Sequence, residues 1–483
     1  MNARRTTHFL SLLTTFSCVL TCTFLFAQEQ SPASHAAAVL DSMPRAKRIG
    51  QAAISPDGTQ IAYIVKSEIS VIPATGGASH TIALEGKLPL RDLAWSADSK
   101  RIAFLADLPG DVPSAQLWVA AVDGSAPAKH ADLKGYAQAQ RFSPDGSRVS
   151  ILFIEGMPRV AGPLQPMTPL AGVIDEKIYE QRIAVVNLAD DRLTQVTPAD
   201  MYVYEYDWTP DGRGWVVSAA HGSGDPNWWV ARLYVANAQS GDMHEIYKPK
   251  LQIAVPRVSP DGKYVAFVEG LMSDEGSTGG DIYIVPTAGG KARNVTPGIK
   301  SSPYALRWTA PDRITFAENV DGNAGFGNVS VEGGSPQTLW TGEEGAAPSG
   351  YAWAAPQSSA REFTTAIIRQ SASTPPELWA GPVGKWKQLT NLNSDIKPAW
   401  GEMRNVHWMN GTTRVQGWLM LPKDFDPSKK YPLIVNVHGG PSAACMSRWD
   451  ERTMSPLSAI GYFALCPTRA AATDKAKPSP KAT

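Results

Sequence analysis

One short phrase recurs along this chain and restricts it to a repetitive fold. It reads "ISPDGTQIAYI" around Ser55, "WSADSKRIAFL" around Ser96, "FSPDGSRVSILF" around Ser143, "WTPDGRGWVVS" around Thr209 and "VSPDGKYVAFV" around Ser259. Weaker copies follow at "WTAPDRITFA" (Thr309) and from Tyr351 in "YAWAAPQSSAREFTTAI". The first six anchors lie 41, 47, 66, 50 and 50 residues apart. A period of that size matches a unit of about four short strands.

The chemistry of the phrase is local. Proline presets φ for the first central position of a tight turn, aspartate bonds its own turn amides, and glycine takes positive φ. An apolar strand follows each turn, as in Ile61, Tyr63 and Val65 or Val265 and Phe267. A second strand ending in a glycine turn then appears: "QLWVAAVDGS", "ARLYVANAQSG", "DIYIVPTAGG". Such a unit cannot bury both faces alone, so stacked neighbours must supply its core. The expected architecture is therefore mainly β: an N-terminal β-propeller over about residues 40–395. Seven anchors give about seven blades, and the 66-residue interval has room for an eighth.

The totals exclude several classes of function. Forty-five basic residues balance forty-five acidic ones, which argues against a nucleic-acid partner, since phosphate binding needs a basic excess. Eight scattered histidines show no metal-ligand spacing, so no metal and no cofactor are expected. Arg4 and Arg5 precede an uncharged stretch, Phe9 to Phe26, and Ala27 then offers a small residue. Residues 1–27 read as a cleaved signal peptide rather than a retained anchor, because serine and threonine dilute the apolar stretch. The protein is thus expected to be exported, periplasmic or secreted, meeting the membrane only transiently through that segment. Outside it only Cys445 and Cys466 remain; one bridge between them is compatible with the sequence but not required by it.

From about Glu402 the pattern changes. Val415 to Leu421 reads as a strand, "PKDFDPSKK" as a polar loop, and Leu433 to Val437 as a continuous apolar strand suited to a sheet covered on both faces. That strand ends in His438-Gly439-Gly440-Pro441. "WDERTMSPLSAIG" has helical spacing, and Tyr462 to Cys466 begins another strand, so the order is that of an opening α/β unit. Two glycines after a buried strand let the backbone approach a substrate, and their N–H groups can stabilise an oxyanion.

The repeats resemble those of the periplasmic TolB protein and of the prolyl oligopeptidase family of serine peptidases. The stretch "GWLMLPKDFDPSKKYPLIVNVHGGP" resembles the start of the α/β-hydrolase domain in the latter, which includes dipeptidyl and acylaminoacyl peptidases. The resemblance implies a serine peptidase acting on short peptides admitted past the propeller, with residues 402–467 an incomplete α/β-hydrolase domain. It also implies a nucleophile in Gly-x-Ser-x-Gly followed by aspartate and histidine. No serine among the 483 residues has glycine both two positions before and two positions after it, and no histidine follows His438. What carries over is an oxyanion-loop remnant: His438, Gly439 and Gly440. The chain as written is expected to be inactive although the family is one of enzymes; the alternative is a non-catalytic TolB-like binding or scaffold protein. Dipeptidyl peptidases of the family hold the substrate's amino group with propeller glutamates, and Glu205 and Glu275 are candidates for that role by residue type.

The last sixteen residues depart from the family. Codons permitted for Thr468 to Thr483, shifted by one base, spell "NPRGSYGQGEAFTKGD", close to the glycine-rich segment expected there. Residues 468–483 are therefore expected to be an out-of-frame tail. A gene read around Pro467 with no alternative frame leading to Gly-x-Ser-x-Gly would end that reading.

Overall fold

The computed structural model describes residues 32–157, 179–222, 225–273, 275–276, 278–347, 364–439 and 443–468. The expected targeting segment 1–27, the anchor region 351–363, Gly440 and residues 469–483 lie outside these.

The chain is mainly β. Seven four-stranded antiparallel sheets occur in sequence among the described residues, here numbered 1 to 7: 49–82, 90–142, 128–195, 201–247, 252–294, 302–342 and 345–388. Within each, strands follow one another in simple up-and-down order. Sheets 2 and 3 share the long strand Ala128–Phe142, last in one and first in the other. Gly135 makes the bend between its two halves. Its φ of +141° and the nearby Ile154 carbonyl oxygen leave no room for a Cβ. The long interval from Ser143 to Thr209 contains the remainder of sheet 3 and no further sheet among the described residues.

The strands are apolar on both faces because each sheet is sandwiched. In sheet 1, Ala62 and Ile64 pack with Leu93 and Phe104 of sheet 2. Their strand neighbours Ile61 and Tyr63 pack with Ile368 and Leu378 of sheet 7. Separate clusters join sheets 2 and 3, 3 and 4, 4 and 5, 5 and 6, and 6 and 7. Alternation at period 2 therefore divides each strand between two cores.

The recurring turn is built identically in five copies. The Ser or Thr hydroxyl donates to the aspartate two residues on, at 2.5–2.7 Å, for Ser55, Ser96, Ser143, Thr209 and Ser259. Turn glycines Gly58, Gly146, Gly212 and Gly262 sit at φ 68–78°, and Ser99 occupies the same conformation in the copy lacking glycine. Neighbouring turns are tied together. The Arg101 guanidinium donates to the Gly146 carbonyl at 2.8 Å and Arg148 to that of Gly212 at 3.2 Å.

An eighth sheet spans 403–468. Its order is Met403–Asn410, Thr413–Met420, Phe463–Thr468, Leu433–Val435, and the last pairing is parallel. The helix Met454–Ala459 precedes the third of these strands, giving the strand–helix–strand order expected from sequence. The strand Met403–Asn410 is an addition: sequence reading began the region's strands at Val415, and a hairpin at Gly411 pairs the two. Phe463–Thr468 includes Thr468, the first residue assigned to the tail. Cys445 and Cys466 are joined by a disulfide.

The eighth sheet sits on sheets 6 and 7. The Trp418 indole donates to the Gly322 carbonyl at 3.2 Å, and Asp321 takes Arg414 at 2.9 Å and His407 at 3.0 Å. Trp400 donates to Ala372 at 2.7 Å and packs edge-on against Trp449. The hairpin at Asp321–Gly322 therefore marks the face of the seven sheets that meets the eighth. The serine–aspartate turns, at the other end of the same strands, lie on the opposite face.

Candidate functional site

The strand Leu433–Val435 carries His438 and Gly439 at its C-terminal end. One nitrogen of the half-buried His438, Nδ1, is enclosed and has no hydrogen-bond partner among the described residues. No atom of the described residues lies within 4 Å of the place where a Cβ on Gly439 would sit. A backbone N–H there is approachable, which is what stabilising an oxyanion requires. Gly440 lies outside the described residues.

The run suits a sheet covered on both faces, but a strand of an incomplete domain is expected to expose its apolar faces, and this one does. Leu433 is 51% exposed, Val435 50% and Val437 73%. The strand has one hydrogen-bonded neighbour, Phe463–Thr468, and forms the edge of its sheet. With no second neighbour among the described residues, its apolar side chains meet solvent.

Glu205 belongs to a repeated structural belt. The first strand of each of sheets 1 to 6 carries a bulge a few residues before its turn. Asp92, Ala139 and Val255, each four residues before their anchor, take positive φ there, at 58°, 54° and 51°. The side chain at that position in one sheet caps the bulge of the next. Gln51 accepts the Leu93 N–H at 2.8 Å, Asp92 accepts that of Ala139 at 3.3 Å, and Glu205 accepts that of Val255 at 2.8 Å. Positive φ is costly for a β-branched valine, so the Glu205 bond holds a strained residue in place. Burial pushes the Glu205 carboxyl up, opposed by Arg257 and the Val255 amide.

Glu275 is half-buried in a turn between two strands of sheet 5. It acts on Tyr136, whose hydroxyl burial pushes up against the pull of Arg91, with Asp92, Asp107 and Glu275 adding to the rise. The two glutamates therefore have different charged neighbours: Arg257 and Arg141 for Glu205, and the Tyr136–Arg91 group for Glu275.

Sequence reading missed a second set of residues, although their signal was present. Two residues before the turn anchor stand Arg141, Asp207, Arg257 and Arg307 in sheets 3 to 6, where sheets 1 and 2 have Ala53 and Ala94. Aligning "QRFS", "YDWT", "PRVS" and "LRWT" exposes the position.

No protein-family model matches the chain. It is 25% identical over 471 residues to dipeptidyl-peptidase 5 of Porphyromonas gingivalis, covering 87% of this chain and 66% of that protein. A solved acylaminoacyl peptidase in complex with Z-Gly-Gly-Phe-chloromethyl ketone superposes with a TM-score of 0.64 at 17% identity. It covers 88% of this chain and 65% of its own. A prolyl endopeptidase superposes with a TM-score of 0.62 at 15% identity, over 92% of this chain and 66% of its own. About a third of each relative thus has no counterpart among these 483 residues.

Proposed function

The chain belongs to the prolyl oligopeptidase family of peptidases, and from that premise we propose that the protein serves the hydrolysis of short peptides by serine chemistry. In this reading the seven sheets are the blades of a propeller that admits peptides and excludes folded proteins. The eighth sheet opens an α/β-hydrolase domain. His438, Gly439 and Gly440 form the loop whose N–H groups stabilise the oxyanion of acyl transfer. Glu205, which also caps Val255, and Glu275 are the candidate carboxylates for a peptide's amino group. The first 27 residues direct export to the periplasm or beyond.

One observation carries the reading: a parallel strand–helix–strand unit whose first strand leads into His438-Gly439 follows the seven stacked sheets. A propeller that only binds has no use for it. The 483 residues contain no Gly-x-Ser-x-Gly and no histidine beyond His438. On their own they therefore supply peptide admission and part of the oxyanion loop, without nucleophile or general base. A fluorophosphonate probe tests this on the purified 483-residue chain. No labelling is expected, and covalent labelling at any serine would overturn the assignment.

A further inference from the structure

We propose that Arg141, Arg257 and Arg307 form a carboxylate-binding site on the first strands of sheets 3, 5 and 6, one that receives the free carboxylate of a peptide. The proposal rests on the peptidase reading for its ligand and on the following geometry for its place.

The three arginines and Asp207 occupy one repeat position, two residues before the turn anchors Ser143, Thr209, Ser259 and Thr309. First strands of sheets 4, 5 and 6 lie side by side, and the Arg141–Asp207 ion pair joins sheet 3 to sheet 4, so this position traces an arc across sheets 3 to 6. Asp207 is already committed. One oxygen takes Arg141 Nη1 at 3.2 Å, and the other accepts the Val258 N–H at 3.0 Å. Glu205 is committed to Val255. Arg257 Nη1 donates to the carbonyl of its own neighbour Pro256 at 2.7 Å and forms no ion pair among the described residues. Arg307 has neither hydrogen bond nor ion pair among them.

Arg257 and Arg307 are only half-exposed. Desolvation depresses both; Arg141 adds its repulsion to each, and Asp207 opposes the fall in each. Guanidiniums held in such surroundings without partners are costly unless an anion completes them. Their planar fork matches a carboxylate better than any neutral group. Three cations face two carboxylates here, so the arc keeps a positive excess although the whole chain is neutral.

Position supplies a direction. The arc lies near the serine–aspartate turns, away from the eighth sheet. The strand Met201–Trp208 places about six residues, roughly 20 Å, between Asp207 and its other end. An extended peptide of similar length held there by its carboxylate points its amino end toward the eighth sheet.

Binding to the 483-residue chain tests the site without hydrolysis. The probes are an acetylated alternating Ala–Gly hexapeptide acid, its C-terminal amide, and an amide with one internal glutamate. The acid is expected to bind about tenfold or more tightly than the amide, the value of one charge-assisted contact. Arg307→Gln should remove that difference without lowering the thermal midpoint, and Arg307→Lys should restore part of it. Tight binding of the glutamate amide would assign the site to side-chain carboxylates as well as the terminal one. If acid and amide bind alike, the arginine site is overturned while peptide binding stands. If no peptide binds, both readings fall together.

Discussion

Asp145 shows how much of the fold rests on single side chains. The Ser143 hydroxyl and the Ser147 amide hold its carboxyl down at about 2. A carboxylate depressed in the folded state stabilises it at every pH above the ordinary value near 3.8. That contribution disappears as pH falls from there through about 2. Asp145 is solvent-exposed, so screening keeps the gain modest, about 1 kcal/mol at pH 7. Asp145→Asn should therefore lower stability by that amount at pH 7 and by little at pH 2. Urea unfolding at both values checks it, and an equal loss at each would show that shape, not charge, matters at the turn. Asp98, Asp211 and Asp261 are lowered by the same hydroxyl bond, from Ser96, Thr209 and Ser259, so acid weakens all these turns together. Glu205 illustrates the opposite case. Its residue type suggests a ligand for a peptide amine, yet its geometry is that of a cap on Val255.

At the scale of the element, the strand Leu433–Val435 and the loop before it are the weak part of the described structure. The loop from Lys423 to Tyr431 is largely exposed, whereas residues 393–402 are tied down. Asn393 exchanges two bonds with the Lys47 backbone, Trp400 bonds Ala372, and Gly401 donates to Ser458. Limited proteolysis should accordingly cut within 423–432 and leave a resistant core beginning near residue 32. The lysine-specific sites after Lys423, Lys429 and Lys430 make trypsin suitable, with mass spectrometry of the products. First cleavage between sheets 2 and 7 would refute this ordering of stability. Sequence reading identified this strand and its partner from their apolar runs. Their apolar runs suit a covered sheet, but burial depends on neighbours that the run itself does not specify, and Leu433–Val435 stands exposed at the sheet edge. Sequence reading missed Met403–Asn410, whose mixture of arginine, histidine and asparagine gives no apolar alternation. That strand is fixed by the bonds of Asn405 and His407 to the Asp321 hairpin.

Across the whole molecule, the repeat of turns and strands determined that the chain would be mainly β and built from stacked units. Every bond in the serine–aspartate turn joins residues at most five apart, so the code for it is local and legible. Apolar strands with two buried faces likewise announced that each sheet needs a neighbour on either side. Tertiary structure alone decided that the first of those neighbours is the last sheet, through Ile61, Tyr63, Ile368 and Leu378, some three hundred residues apart. It also decided which polar side chains meet: Glu205 with Val255, and Arg141 with Asp207. These contacts join residues about fifty or more positions apart. They exist only once the sheets have stacked in order and aligned one repeat position beside the next.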